Sequence, residues 1–190
     1  EPRSELLNAD LAARIEVVRG PQSALWGSEA IGGVVAVNGA DIAEPGYSLS
    51  AEAGSFGFRR GAASAGTVSG DVRAAAAVGW QRADGIDAFD GAGDRDGYRN
   101  LSARVRGSWT PSPSLQLGLS GLALTGRSEF DGYSPLTFLR ADTLDSSRNR
   151  LLAGGLWSRI GTDEAPWSGE VRASVLSSSK RNFLVNDPLN

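Results

Sequence analysis

The chain of 190 residues contains no cysteine and no histidine. These absences exclude disulfides, metal sites built from Cys and His, and nucleophilic catalysis by Ser–His or Cys–His pairs. Any bound metal ion must therefore be held by oxygen atoms of Asp, Glu or the backbone. Lysine occurs once, at Lys180, so the glycine-rich stretches lack the Lys-Ser/Thr of a phosphate-binding loop. The sequence predicts no catalytic residues.

Long apolar runs and strong net charge are also missing. No run approaches 18 apolar residues, so the sequence contains no candidate for a membrane-spanning helix. A net charge of −3 gives no basis for nucleic-acid binding. A transmembrane β-strand needs only about 9–11 residues of alternating polarity, so a membrane protein built from strands is not excluded. The chain begins at Glu1 without a signal-like segment, and we expect it to be a piece of a longer protein.

Apolar and polar residues alternate from Tyr47 onward. The clearest segment is Leu101–Trp109, in which Leu, Ala, Val, Gly and Trp alternate with Ser and Arg. The segment that starts at Leu115 slips in phase at Gly121, where we expect a β-bulge or an irregularity of the pattern. The pattern predicts seven strands, at about 47–53, 58–67, 71–81, 101–109, 115–121, 151–160 and 167–175.

Two features favour an outer-membrane barrel over a soluble β-sandwich. Four tryptophans lie near strand ends, where such a barrel carries its aromatic girdle. They are Trp80, Trp109, Trp157 and Trp167. Short turns also alternate with two long acidic loops, Asp84–Gly97 and Gly126–Asn149, although Ser55–Gly57 is short where a long loop is expected. A passive porin, an outer-membrane adhesin and a soluble sandwich are the alternatives.

The most specific stretch is Arg14–Val37, RIEVVRGPQSALWGSEAIGGVVAV. An apolar strand, Ile15–Val18, leads through Arg-Gly-Pro to a small-residue helical turn with Ser23 as N-cap, a Gly-Gly pair and a strand at Val34–Val37. It resembles the end of the plug domain of TonB-dependent outer-membrane transporters. The motif residues are Glu16, Arg19, Gly20, Pro21, Gly27, Gly32 and Gly33. A buried strand–helix–strand of an unrelated α/β protein is the alternative.

The resemblance implies a mainly β chain, a fragment of a transmembrane antiparallel up-and-down β-barrel preceded by the C-terminal part of an α/β plug domain. Residues 1–38 would end the plug, 39–46 form a linker, and 47–190 supply the first strands of a barrel of about twenty-two. The implied function is energy-coupled uptake of a scarce small molecule across the bacterial outer membrane. A TonB-type complex of the inner membrane would drive it through a segment outside this chain. The work is conformational, so the protein is not expected to be an enzyme.

The two acidic loops resemble most closely those of the cobalamin (vitamin B12) transporters in this family. The matching pieces are Gly85-Ile86-Asp87, Asp94-Arg95-Asp96-Gly97, Phe130-Asp131-Gly132-Tyr133 and Asp142-Thr143, with Ile86 in place of an aromatic residue. The resemblance implies a calcium ion that orders the loops for substrate capture. Its ligands would be Asp87, Asp94, Asp96, Asp131 and Asp142, with Asp84, Asp90 and Asp145 as further candidates. Solvated acidic loops and an iron–siderophore substrate are the alternatives.

Charged residues recur on the polar side of the predicted strands, where they would face the lumen. They are Glu52, Arg73, Arg104, Arg106, Glu170 and Arg172. Semi-buried charges are costly unless paired, so we expect them to form ion pairs with charged plug residues such as Glu16 and Arg19. The plug should accordingly lie against this face of the sheet.

Overall fold

The computed structural model describes residues 14–21, 30–38, 45–87, 93–134, 136–162 and 166–184. These residues are mainly β-strand and form two separate antiparallel sheets. No helix among them is long and apolar enough to cross a membrane. The predicted helical turn with Ser23 and Gly27, and most of the linker, lie outside the described residues.

The first sheet is a pair of short strands, β1 (Arg14–Arg19) and β2 (Gly33–Asn38). Their register runs from Arg14 opposite Asn38 to Arg19 opposite Gly33. Gly33 has a φ of +144°, and a Cβ there would lie 2.5 Å from the backbone oxygen of Val18. Only glycine fits this position, because both the backbone angle and the space exclude a side chain. The two predicted strands, Ile15–Val18 before the Arg-Gly-Pro sequence and Val34–Val37 after the Gly-Gly pair, are confirmed.

The second sheet contains seven strands, each paired with the next in the chain. All seven predicted strands are present, and most are longer than alternation indicated. They are β3 (Gly46–Ala53), β4 (Arg59–Ser69), β5 (Val72–Ala83), β6 (Tyr98–Ser112), β7 (Leu115–Tyr133), β8 (Arg140–Ile160) and β9 (Gly169–Phe183). The meander is the predicted up-and-down arrangement and is consistent with a barrel fragment after a plug domain.

The two faces of this sheet have the opposite exposure from those of a soluble protein. On the face we call polar, Asn100 is 3% exposed and Ser102 is fully buried. On the face we call apolar, Leu101 is 46% exposed and Trp80 42%. Soluble proteins bury their apolar face, whereas the wall of an outer-membrane barrel turns it outward to lipid. The sheet therefore has the arrangement of a barrel wall.

The β4–β5 and β6–β7 turns at one end of the sheet have two residues each, and the β8–β9 connection there has eight; the β5–β6 connection at the other end is the longest, with fourteen. The strands β7 and β8, of 19 and 21 residues, exceed the about 9–11 that cross a membrane, so their hairpin projects beyond the apolar band. The prediction of a long loop at Gly126–Asn149 is therefore wrong, because backbone pairing continues to a tip at 134–139. In this upper part of the hairpin most residues are polar on both faces. The sequence therefore does not alternate between apolar and polar residues, although the backbone pairing between β7 and β8 continues.

Of the two alternatives at Gly121, the bulge is wrong and the irregular pattern is correct. Pairing passes through Gly121 without a bulge, and the apparent phase slip arises because Leu122 and Leu124 lie on the polar face. Trp157 also lies on the polar face and so does not belong to an outward girdle. It pairs with Gly118, and a Cβ on that glycine would overlap the indole ring. The missing side chain at Gly118 thus provides the space that Trp157 fills.

Candidate functional site

A β-bulge near the tip of the projecting β7–β8 hairpin brings two acidic side chains, Asp131 and Asp142, next to the β5–β6 loop. Phe130 pairs with Asp145 and Gly132 with Ala141, so Asp131 alone opposes residues 142–144. The backbone N–H of Thr143 donates a hydrogen bond to Asp131 Oδ1 at 3.1 Å. The N–H of Gly132 donates in turn to Thr143 Oγ1 at 2.8 Å. These bonds fix the bulge and hold the Asp131 carboxylate in place.

Three carboxylates from separate segments meet beside this bulge, and we call them the aspartate trio. They are Asp94 of the β5–β6 loop, Asp131 of β7 and Asp142 of β8. One oxygen of each lies within 4.8 Å of the others, with Asp94 and Asp131 half-buried and Asp142 exposed. Hard cations such as Ca²⁺ bind several carboxylate oxygens in this kind of arrangement, so the trio fits the donor set of a calcium site.

The trio concentrates negative charge, and the protonation of Asp142 reflects it. A side-chain hydrogen bond with Asp94, partial desolvation, and the charges of Asp94 and Asp87 together raise the pKa of Asp142 above its ordinary value. A proton or a cation between the carboxylates relieves this repulsion.

The other acidic residues predicted in the loops occupy different positions. Asp87 accepts a hydrogen bond from the N–H of Gly93 at 2.6 Å, next to the trio but outside it. Asp96 is also outside the trio, in a segment whose backbone packs against Gly85 and bonds to Ile86 at 3.0 Å. Asp84 forms an ion pair with Arg82 at 2.9 Å, and Asp145 is buried beside Gly132. Asp90 lies outside the described residues.

Two residues that support the trio were missed by reasoning from the sequence. Thr143 links the two sides of the bulge, although it had been noted only as part of the Asp-Thr pair. A Cβ on Gly93 would overlap the Asp142 carboxylate, so glycine is needed for the two segments to approach. In the sequence, a glycine directly before an acidic loop residue is only a weak indication of a site. The need for glycine at position 93 becomes evident only when the β7–β8 hairpin places Asp142 beside it.

The polar face carries a second charged region, at the end with the short turns. A cavity of about 670 Å³ lies there, and its charged lining is Arg73, Arg104, Arg106, Arg159, Glu170 and Arg172. Glu170 pairs with Arg172 and, at 3.6 Å, with Arg159. Five arginines against one glutamate make this cationic wall net positive.

The register places all six predicted lumen residues on this one face. Glu52 lies nearer the other end, where it pairs with Arg60 at 3.3 Å. Of the plug motif, Glu16 is half-buried, Arg19 and Pro21 are exposed, and Gly20 has a φ of +93°. Contacts between the plug motif and the polar face stay a prediction.

In a comparison with protein families, residues 1–34 match the family described as the TonB-dependent Receptor Plug Domain. The matched segment includes β1, the Arg-Gly-Pro sequence and the Gly-Gly pair, and it precedes the seven-stranded sheet. Family members generally couple to TonB and carry small-molecule substrates. The match supports a place for this chain among the TonB-dependent receptors, which are transporters of the Gram-negative outer membrane rather than enzymes.

Proposed function

We propose that this chain is part of a TonB-dependent active transporter that takes up cobalamin, with calcium bound at the aspartate trio. Residues 1–38 would end the plug, 39–46 would link it to the barrel, and 47–190 would form the first barrel strands. The observation that carries the substrate proposal is the meeting of Asp94, Asp131 and Asp142 from three separate segments. A passive porin has no reason to contain the plug segment at residues 1–34.

Calcium would act on the loops rather than on a chemical bond. Bound between Asp94, Asp131 and Asp142, it would offset two of their three negative charges and tie the β5–β6 loop to the β7–β8 hairpin. Asp87, one hydrogen bond from Gly93, would supply a further oxygen or orient the loop. Asp96 would act through the backbone of its segment. A tied loop pair presents one surface to a substrate and so lowers the entropic cost of binding.

The plug would rest on the cationic wall. Residues 1–46 contain seven acidic and three basic residues, opposite in sign to the arginines of the wall. Arg73, Arg104, Arg106 and Arg172 would pair with plug carboxylates, while Glu52 and Glu170 would hold neighbouring arginines in position. Such pairs can break and form again when the inner-membrane complex pulls on the plug.

An iron–siderophore complex is the second candidate substrate, because the plug match at residues 1–34 does not distinguish the two substrate classes. Ferric siderophore complexes often carry negative charge. The trio, being acidic, would repel such a substrate unless a cation neutralised it. We rank cobalamin first because the acidic loops then have a role.

Calorimetric titration of cyanocobalamin into the full-length protein in detergent, with calcium or with EDTA, tests the proposal. We expect tight binding with calcium and at least tenfold weaker binding in EDTA. Asp131→Asn should reproduce the EDTA result in the presence of calcium. Asp71→Asn, a matched change in the short β4–β5 turn, should have no effect. Absence of binding in either condition would reject cobalamin and bring ferric siderophores forward.

A further inference from the structure

Six arginines form a continuous row across the apolar face. The register pairs each one directly with the next on the adjacent strand, from β4 to β9. The row consists of Arg59, Arg82, Arg99, Arg127, Arg148 and Arg181. The spacing of these residues in the sequence is irregular, so the row exists only once the strands are paired. We call it the arginine row.

The arginine row lies at one edge of the apolar band. From Ile160 to Arg150 the band rises ten residues along β8, about 34 Å of strand and about 26 Å across a membrane at a tilt of about 40°. Arg148 lies one step further, about 5 Å beyond the band. This edge is on the side of the projecting hairpin, and Trp80 lies one step below the row. An outer-membrane barrel turns its longer loops outward, so the row is level with the headgroups of the outer leaflet.

The row contains more positive charge than its surroundings balance. Arginines directly opposite one another on adjacent strands repel. Among the described residues, two members of the row form ion pairs: Arg82 with Asp84 at 2.9 Å and Arg127 with Glu129 at 3.5 Å. The Nε of Arg127 is buried and has no hydrogen-bond partner among the described residues. A row with this excess charge favours an anionic ligand.

Two hollows on the same face suit a phosphorylated lipid. The first, about 600 Å³, lies above Trp80, and its charged lining is four arginines, Arg82, Arg95, Arg99 and Arg127, against two carboxylates, Asp84 and Glu129. The second, about 660 Å³, lies further down and is lined mainly by alanine, valine and leucine. Its row of Val78, Ala103 and Ala123 is four residues below the arginine row, about 14 Å along the strands. A headgroup on the arginines would thus place its acyl chains along the apolar hollow.

We propose that the arginine row is a binding surface for phosphate-bearing lipid headgroups of the outer leaflet. Guanidinium groups bind phosphate oxygens in pairs, and neighbouring arginines on adjacent strands can hold one phosphate between them. Such a lipid would cancel the repulsion within the row and fix the height of the barrel in the membrane. The proposal rests on the outer-membrane placement proposed above, but it requires neither calcium nor cobalamin.

Native mass spectrometry of the full-length protein in detergent, titrated with defined lipids, tests the proposal. The probe is bisphosphorylated lipid A, compared with the same lipid lacking its phosphates. We expect the wild-type protein to bind the phosphorylated form at least tenfold more tightly. This comparison needs no variant, so equal affinity for the two lipids would overturn the proposal directly. Displacement of bound lipid A by millimolar inorganic phosphate would also overturn it, because an isolated anion site would explain that result.

A matched pair of triple variants locates the surface. Arg82→Gln/Arg99→Gln/Arg127→Gln should weaken binding of phosphorylated lipid A at least tenfold. Arg73→Gln/Arg106→Gln/Arg172→Gln removes the same charge from the opposite face and should leave lipid binding unchanged. Equal losses in both variants would reject the row as the site. Cyanocobalamin titration of the first variant should match the wild type, which separates failure of this proposal from failure of the transport proposal.

Discussion

At the scale of single residues, Gly118 shows how the absence of a side chain determines the position of a large neighbouring side chain, here that of Trp157. The indole lies over Gly118 on the polar face, where a Cβ would overlap the ring. Gly118→Ala should therefore destabilise the sheet by about 1–3 kcal/mol, because the ring must leave its position. Gly154→Ala is the control, since the nearest atoms to a Cβ there are at 3.7 and 3.8 Å.

Urea titration in detergent, followed by heat-modifiable mobility on SDS gels, would measure both variants. A midpoint for Gly118→Ala equal to that of Gly154→Ala would show that the indole does not depend on the glycine.

Asp142 makes the stability of the hairpin depend on pH, and the sign of this dependence follows from the upward shift of its pKa. Its pKa is raised by the hydrogen bond with Asp94, by desolvation, and by the charges of Asp94 and Asp87. Between the ordinary and the raised value, the folded state binds more protons than the unfolded state. Stability of the hairpin without calcium should therefore fall as pH rises through this window. Asp142→Asn should abolish that fall and protect the hairpin at neutral pH in EDTA.

Hydrogen exchange of residues 93–97 and 131–143, in EDTA at acidic and neutral pH, would measure the effect. Asp71→Asn should exchange like the wild type at both pH values. If wild-type exchange in these segments is the same at both pH values after correction for the intrinsic rate, Asp142 does not carry the linkage.

At the scale of the strand, alternation decides which face meets lipid. Val175 and Ser174 are neighbours on β9, both exposed, and they lie on opposite faces. Val175 belongs to the middle of the apolar band, where lysine costs about 2–4 kcal/mol in an outer-membrane barrel. Val175→Lys should therefore destabilise the protein by that amount in lipid vesicles, and Ser174→Lys should cost less than 1 kcal/mol, roughly the surface value.

Urea titration of the two variants in vesicles makes the comparison. Equal, small effects would mean that both faces are in contact with water, which is incompatible with a lipid-facing side on β9. That outcome would reject the barrel interpretation whatever the plug segment resembles.

Strand prediction succeeded where the two faces differ in environment and failed where they do not. Leu101–Trp109 alternates because one side faces apolar surroundings and the other faces polar ones, so its strand was evident. The upper parts of β7 and β8 carry mostly polar residues on both sides, so alternation does not indicate strands there. The face of Trp157 was misjudged because it depends on Gly118, a residue of another strand.

The candidate site was predictable in composition but not in geometry. Acidic loops with Asp-x-Asp-Gly and Asp-Thr indicated which residues carry the carboxylates. The bulge places Asp142 opposite Asp131, and Asp94 of the β5–β6 loop lies beside them, whereas Asp96 does not. The arginine row could not be predicted for a similar reason. Residues such as Arg82 and Arg148 belong to one row only because of the register between the strands.

At the scale of the whole molecule, charge is divided between regions with different tasks. The trio near the hairpin tip is acidic, the wall near the short turns is basic, and the arginine row crosses the apolar face. Residues 1–46 are acidic on balance, opposite in sign to the basic wall. Each region is opposite in charge to the partner that we propose for it: a cation, the plug, and a phosphorylated lipid.

If the plug is held by the cationic wall, weakening the wall should release the plug before the barrel unfolds. Arg104→Gln/Arg106→Gln should lower the free energy of plug release by about 1.5–3 kcal/mol, the value of hydrogen bonds to charged groups. The protein lacks cysteine, so one engineered at Val17, which is 65% exposed, would carry a unique fluorescent label. Label mobility in urea then reports release of the plug, and SDS-gel mobility reports the barrel.

Arg82→Gln/Arg99→Gln makes the same change in net charge on the outer face and should leave the release midpoint unchanged. Raising the salt concentration from about 0.1 M to 1 M shortens the screening length from about 10 to 3 Å, which should lower the wild-type midpoint toward that of the wall variant. If both variants lower it equally, net charge rather than the wall holds the plug. A wall variant whose plug and barrel unfold together, at the wild-type midpoint, would show that the plug is held by other contacts.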